Sequence, residues 1–212
     1  MKYIKLFESF EDYDPYELMI TPPHKKAEML VQEIKKKDKA NLNLVNDLIV
    51  LGANLDWQDE EGRTALHWCA SQNHPEIAGL LIDAGADLNL QDNNGSTALY
   101  RCAIRNHIGI AGMLIDAGAD LNIQDTDGWT ALHYCAKFNH PGILGLLIDA
   151  GADLNIQETD GWTALHTSVI FDRPELLRML IDAGANKTIP TNDGKLPYEL
   201  AKTKEMKNII RP

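Results

Sequence analysis

The chain has 212 residues, with 44% hydrophobic and 24% charged residues, an ordinary mixture for a protein that buries a core. It has no run of eighteen apolar residues, which argues against a transmembrane helix. Its start, MKYIKLFESFEDYD, lacks the long apolar stretch of a secretory signal, so a cytoplasmic location is expected. The net charge of −11 is uneven: residues 41–185 carry 20 acids against 6 bases, whereas residues 24–40 and 186–212 each carry 6 bases against 3 acids. An acidic middle argues against binding along a nucleic-acid backbone, which needs lysines and arginines to displace counterions, and leaves room for a basic partner.

In chain order, Tyr3, Leu6, Phe7 and Phe10 fall at helical spacing and predict a short amphipathic helix. Thr21, Pro22 and Pro23 mark a break after it. Residues 25–40 read as a lysine-rich first helix and LVNDLIVLGANLD as a second.

From there the sequence repeats itself every 33 residues. Cys69, Cys102 and Cys135 keep that spacing, as do Thr64, Thr97, Thr130 and Thr163, and Gly85, Gly118, Gly151 and Gly184. Self-similarity at such a period means stacked supersecondary units. In one unit Thr64 is placed to cap a short helix over residues 65–70. Asn73, and Asn106 and Asn139 after it, then suit the left-handed residue that ends that helix. Pro75, Pro141 and Pro174 open a second helix in their units, since proline fits the first helical position. Its expected buried stripe is Ile77, Leu80, Leu81 and Ala84, with Gly85 closing the helix and a polar loop leading onward. One such helix pair cannot bury its stripe alone; a stack can.

The segments GRTALHWCA and NHPEIAGLLIDAGADLN, with their copies, resemble ankyrin repeats over about residues 41–201. The resemblance implies an all-α ankyrin-repeat solenoid of antiparallel helix pairs with projecting hairpin-like loops. The expected division is an N-terminal segment 1–23 and a repeat domain 24–212. Within the domain, 24–57 is a degenerate cap, 58–90, 91–123, 124–156 and 157–189 are full repeats, and 190–212 is a C-terminal cap. Polar terminal repeats keep the open ends of such an array in solution. The sequence departs from the family pattern at Tyr100, which stands in place of a histidine, and at Arg101, which stands in place of an apolar residue.

Several local patterns invite other chemistry. The loop QDTDG suggests a calcium site, but with Gly128 as the sixth position the first and twelfth are Ile123 and Tyr134, and two essential ligands are missing. His67, His133 and His166 are equivalent positions of successive helices, which pack about 8–10 Å apart, too far to share a zinc ion bound at about 2.1 Å. Three cysteines leave no closed disulfide framework, and each is expected to fill core space. Gly79, Gly112 and Gly145 sit inside second helices, where duplication explains them more simply than the close approach of another chain. No catalytic residue, cofactor or metal is expected.

The resemblance implies a non-enzymatic protein-binding module, an adaptor or an inhibitor, that uses loop tips and the concave face of the first helices. It is expected to be a monomer whose partner is another protein, with no nucleic acid and no membrane involved. Framework positions being fixed by packing, the positions that differ between copies carry the information. Trp129, Phe138, Trp162, Ile170 and Phe171 stand at positions expected to face solvent, with Ile104 and Arg105 at their edge, and large exposed apolar side chains mark interfaces. The alternative is a structural or virion-associated component directed by the N-terminal segment, because residues 1–10 are similar to short leaders of some tailed-phage proteins. The N-terminal segment is otherwise expected to pack on the first repeat as an extra cap.

Overall fold

A computed structural model describes residues 15–36 and 40–211. The amphipathic helix expected around Tyr3, Leu6, Phe7 and Phe10 lies outside these residues. All regular structure among the described residues is helical: α1 (Pro15–Ile20), α2 (Pro23–Ile34), α3 (Leu42–Val50), α4 (Ala65–Gln72), α5 (Pro75–Asp83), α6 (Ala98–Arg105), α7 (Ile108–Asp116), α8 (Ala131–Phe138), α9 (Pro141–Asp149), α10 (Ala164–Ile170), α11 (Pro174–Asp182), α12 (Pro197–Leu200) and α13 (Lys204–Ile209). The first helices α2, α4, α6, α8, α10 and α12 stack in one row, and the second helices α3, α5, α7, α9, α11 and α13 in another.

Each first helix is short because both of its ends are specified. Thr64, Thr130 and Thr163 begin α4, α8 and α10 in capping boxes completed by His67, His133 and His166. Asn73, Asn106 and Asn139 end α4, α6 and α8 in the left-handed region, at φ of 63°, 59° and 63°. The second helices start at proline in α5, α9 and α11.

The buried face of the second helices differs from the expected stripe. Ile77, Ala78 and Leu81 are buried in α5, while Leu80 is half-buried and Ala84 exposed. The same set recurs as Ile110, Ala111, Leu114, then Ile143, Leu144, Leu147, then Leu176, Leu177, Leu180. A second helix packs both on the first helix of its own repeat and on the second helices before and after it. The side chain next to Ile77 therefore turns inward. Ala84 lies past the end of α5, where the chain has begun to leave the stack.

The loops are tied by their own ladder. Gln58 Nε2 donates to the carbonyl of Gly62 in its own loop (2.6 Å) and to that of Gln91 in the next (2.9 Å). Gln91, Gln124 and Gln157 repeat the arrangement. Backbone contact between loops is close: a Cβ on Gly128, whose φ is +82°, would lie 2.9 Å from the Thr159 nitrogen. Only glycine fits there.

At the N-terminal end Leu18 of α1 is 2% exposed and belongs to the core. Lys26 is buried, and its ammonium donates to the Leu51 carbonyl at the end of α3 (2.8 Å). At the other end Met206 and Ile210 close the core.

Candidate protein-binding surface

The loop acids are structural. Asp125 Oδ1 accepts from the backbone N–H groups of Asp127 (2.9 Å) and Trp129 (2.8 Å) and so shapes the turn. Asp59, Asp92 and Glu158 do the same in their loops. In the three aspartate loops the second oxygen reaches the side chain nine residues on, in the first helix. Trp68 Nε1 donates to Asp59 (3.0 Å), Arg101 pairs with Asp92, and the Tyr134 hydroxyl donates to Asp125 (3.0 Å). This explains Arg101: the position calls for a donor to the loop acid, and tryptophan, arginine and tyrosine each supply one. Burial alone would raise the Asp92 carboxyl. The Arg101 bond and the N–H groups of Ser96 and Asn94 overcome it and hold that carboxyl below the ordinary range.

Two of the equivalent histidines, His67 and His133, are also committed at both ring nitrogens. His67 Nδ1 accepts from the Thr64 N–H (3.1 Å), which assigns the ring proton to Nε2, and Nε2 donates to the Ser96 carbonyl of the next loop (2.8 Å). His133 makes the same two bonds, to Thr130 (3.2 Å) and to the Trp162 carbonyl (3.0 Å). Burial lowers the pKa of His67, His133 and His166. Cys69, Cys102 and Cys135 are buried free thiols, and burial pushes Cys102 up to about 12 and the other two upward as well. Thiols so held are poor nucleophiles.

What the framework leaves over gathers on the face formed by the first-helix ends and loop tips. The structure brings Trp129, Trp162, Ile170 and Phe171 together as the walls of one groove of about 420 Å³, with Asp127, Glu158, Thr159 and Asp160 at its rim. Phe171 and Phe138 are exposed (38% and 42%), whereas Trp129, Trp162 and Ile170 are half-buried rather than facing solvent fully. For Trp129 the reason is local packing: it tilts onto Tyr134, ring centroids 4.9 Å apart, and onto His133 at 5.6 Å. Phe138 stands outside the groove and stacks on Tyr134 and His140, both at 6.1 Å. Ile104 is half-buried and Arg105 exposed.

The residue that organises this groove is Lys137, a position that varies between copies but draws no attention beside the aromatics. Its Nζ lies 4.9 Å from the centroid of Trp129, 5.5 Å from Phe138, 5.9 Å from Tyr134 and 6.0 Å from Phe171. These rings come from two repeats, so only the stacking discloses that they surround one cation.

A second hollow, of about 490 Å³, is lined by Arg63, Trp68, Ser71, Gln72, Arg101, Arg105 and His107. Trp68 is flanked there by two cations, Arg63 at 4.0 Å and Lys35 at 4.4 Å from the ring. Arg105 stands at the edge of the expected surface, but its grouping with Arg63 and Arg101 is not legible in the sequence, because the three are 38 and 4 residues apart in a strongly acidic stretch.

Fold and surface together define a solenoid of stacked helix pairs whose variable side chains line one face while the repeated ones hold the stack. The family model described as ankyrin repeats (3 copies) matches residues 32–125 and again 111–191. The chain belongs to the ankyrin repeat family. A search of curated proteins returned no match. Ankyrin repeats are in general protein–protein interaction modules and typically non-enzymatic. No described helix is long and apolar enough to cross a membrane.

Proposed function

We propose that the chain is a monomeric cytoplasmic adaptor or inhibitor that binds a protein partner through the groove of Trp129, Trp162, Ile170 and Phe171, with Phe138, Ile104 and Arg105 extending the contact. The observation that carries this reading is the aromatic cluster around Lys137. Rings from two repeats converge on a part of the surface that the framework does not need, and two of the apolar side chains there stay exposed. Half-buried aromatics that are already in place add contact area on binding while losing little conformational freedom. Binding is by surface complementarity on a preorganised scaffold, and no chemical step is required.

The test compares affinity capture by the wild-type protein with capture by a Trp162→Ala/Phe171→Ala variant, alongside thermal unfolding of both. The reading expects captured partners to be lost with little change in melting temperature. Unchanged capture with a lowered melting temperature would show that these side chains serve packing alone.

A further inference from the structure

We propose that the cleft between the first and second full repeats is an oxyanion subsite that takes a side-chain carboxylate from an acidic segment of the partner protein. The inference rests on the protein-binding reading above and adds the chemistry of what is bound.

Residues 41–185 have only six bases, and three of them, Arg63, Arg101 and Arg105, line this one cleft. Arg63 pairs with the exposed Glu61 at 2.6 Å, whereas the buried carboxylates that Arg63 and Arg101 also touch are already occupied. Asp59 takes the N–H groups of Glu61 and Arg63 and the Trp68 indole, and Asp92 takes those of Asn94 and Ser96. Both are withdrawn from solvent, with side chains 8% and 1% exposed, against 24% for Arg63 and 26% for Arg101. With Arg63 compensated by Glu61, the accessible positive charge in the cleft is that of Arg101 and Arg105. Arg105 is exposed and forms no ion pair with any described residue. A guanidinium has five N–H donors in a planar fork that suits a carboxylate, and several around one cleft bind it more strongly than a single lysine would.

The surroundings favour a single acidic side chain over a polyanion. Glu60 and Glu61 stand at the neighbouring loop tip, and Asp127 and Asp160 at those further on, where a phosphate backbone would be repelled. Position also links the cleft to the aromatic groove. Ser71, Ile104, Lys137 and Ile170 are equivalent positions of successive first helices. The cleft uses the first of these and the groove the last two. Two repeats at about 10 Å each separate them by roughly 20 Å, which an extended strand covers in about six residues. The structure thus points to a partner segment with an acidic residue followed, about six residues later, by a large apolar one.

Trp68 lines the cleft, so its indole N–H signal reports on it, while Trp129 and Trp162 report on the groove. The experiment titrates the ¹⁵N-labelled full chain with a synthetic peptide carrying a Glu-Asp pair six residues before a leucine. Parallel titrations use the same peptide with lysines in place of the acids, sodium phosphate, and a short DNA duplex. The proposal expects saturable movement of the Trp68 signal with the acidic peptide, none with the lysine peptide, and about tenfold weaker binding to an Arg105→Glu variant of unchanged melting temperature. It is overturned if the Trp68 signal does not respond to the acidic peptide, or responds equally in the Arg105→Glu variant. It is also overturned if phosphate or DNA moves the signal and the acidic peptide does not, since the cleft then serves a free anion or a nucleic acid. Any of these failures leaves the responses of Trp129 and Trp162 to the leucine end intact, so the reading of the groove is judged separately.

Discussion

His67 donates through Nε2 to the carbonyl of Ser96, 2.8 Å away in the next repeat, while its Nδ1 takes the N–H of Thr64. One imidazole thus caps its own helix and ties it to its neighbour. His133 does the same between the third and fourth full repeats.

This arrangement makes stability depend on pH. A second ring proton would sit on Nδ1, against the Thr64 N–H, and burial already lowers the pKa of His67, His133 and His166. Below the unfolded value of about 6.5 the unfolded chain binds protons that the folded chain refuses, so stability is full above that pH and is lost as the pH falls below it. The loss reaches at most about 1.4 kcal/mol per histidine per pH unit. Urea unfolding at pH 7.5 and pH 5.5 should show a clearly lower midpoint at the acid pH. Equal midpoints would mean that the rings are protonated without losing their caps.

The pairing of Arg101 with Asp92 gives a second expectation. The Asp92 side chain is 1% exposed, so Arg101→Leu leaves a buried carboxylate without its cation. That change should cost about 3 kcal/mol in denaturant unfolding. Arg101→Tyr should recover much of the loss, because the equivalent Tyr134 hydroxyl already serves Asp125 at 3.0 Å. A leucine variant as stable as the wild type would remove the loop-acid rule.

The glycines inside the second helices give the opposite sign. A Cβ at Gly79 meets nothing within 4 Å, at Gly112 only Leu146 Cδ1 at 3.9 Å, and at Gly145 only Met179 Cε at 3.5 Å. Nothing in the fold requires glycine there, and alanine is the better helix former by about 1 kcal/mol per site. The triple alanine variant should therefore raise stability by roughly 2–3 kcal/mol, read as a higher unfolding midpoint. A lower midpoint would show that these positions are packed more tightly than the Cβ distances allow.

How much of this was legible in the sequence depends on whether the signal was local. The 33-residue period, the threonine caps, the asparagine turns and the proline starts are all specified within a few residues, and the helices lie where those signals place them. Asp125, the first acid of the loop QDTDG, shapes the turn through the N–H groups of Asp127 and Trp129. Its second partner, Tyr134, is nine residues away and becomes visible only when three copies are seen to solve the same problem with tryptophan, arginine and tyrosine. The buried face of the second helices takes Ala78 in place of Leu80 and Ala84, because it is set by contacts with both neighbouring repeats and not by the periodicity of one helix.

The surface shows the same division. The sequence alone shows that Trp129, Trp162 and Phe171 stand at positions where other copies carry different residues, such as Arg63, Ser96 and Gln72. Only the tertiary structure decided that rings from two repeats would enclose Lys137, that the tryptophans would lie half-buried, and that three arginines of an acidic chain would share one cleft. The reason is physical: repeats fix what each unit looks like, but a binding surface is made where side chains of different units come within a few ångströms of one another.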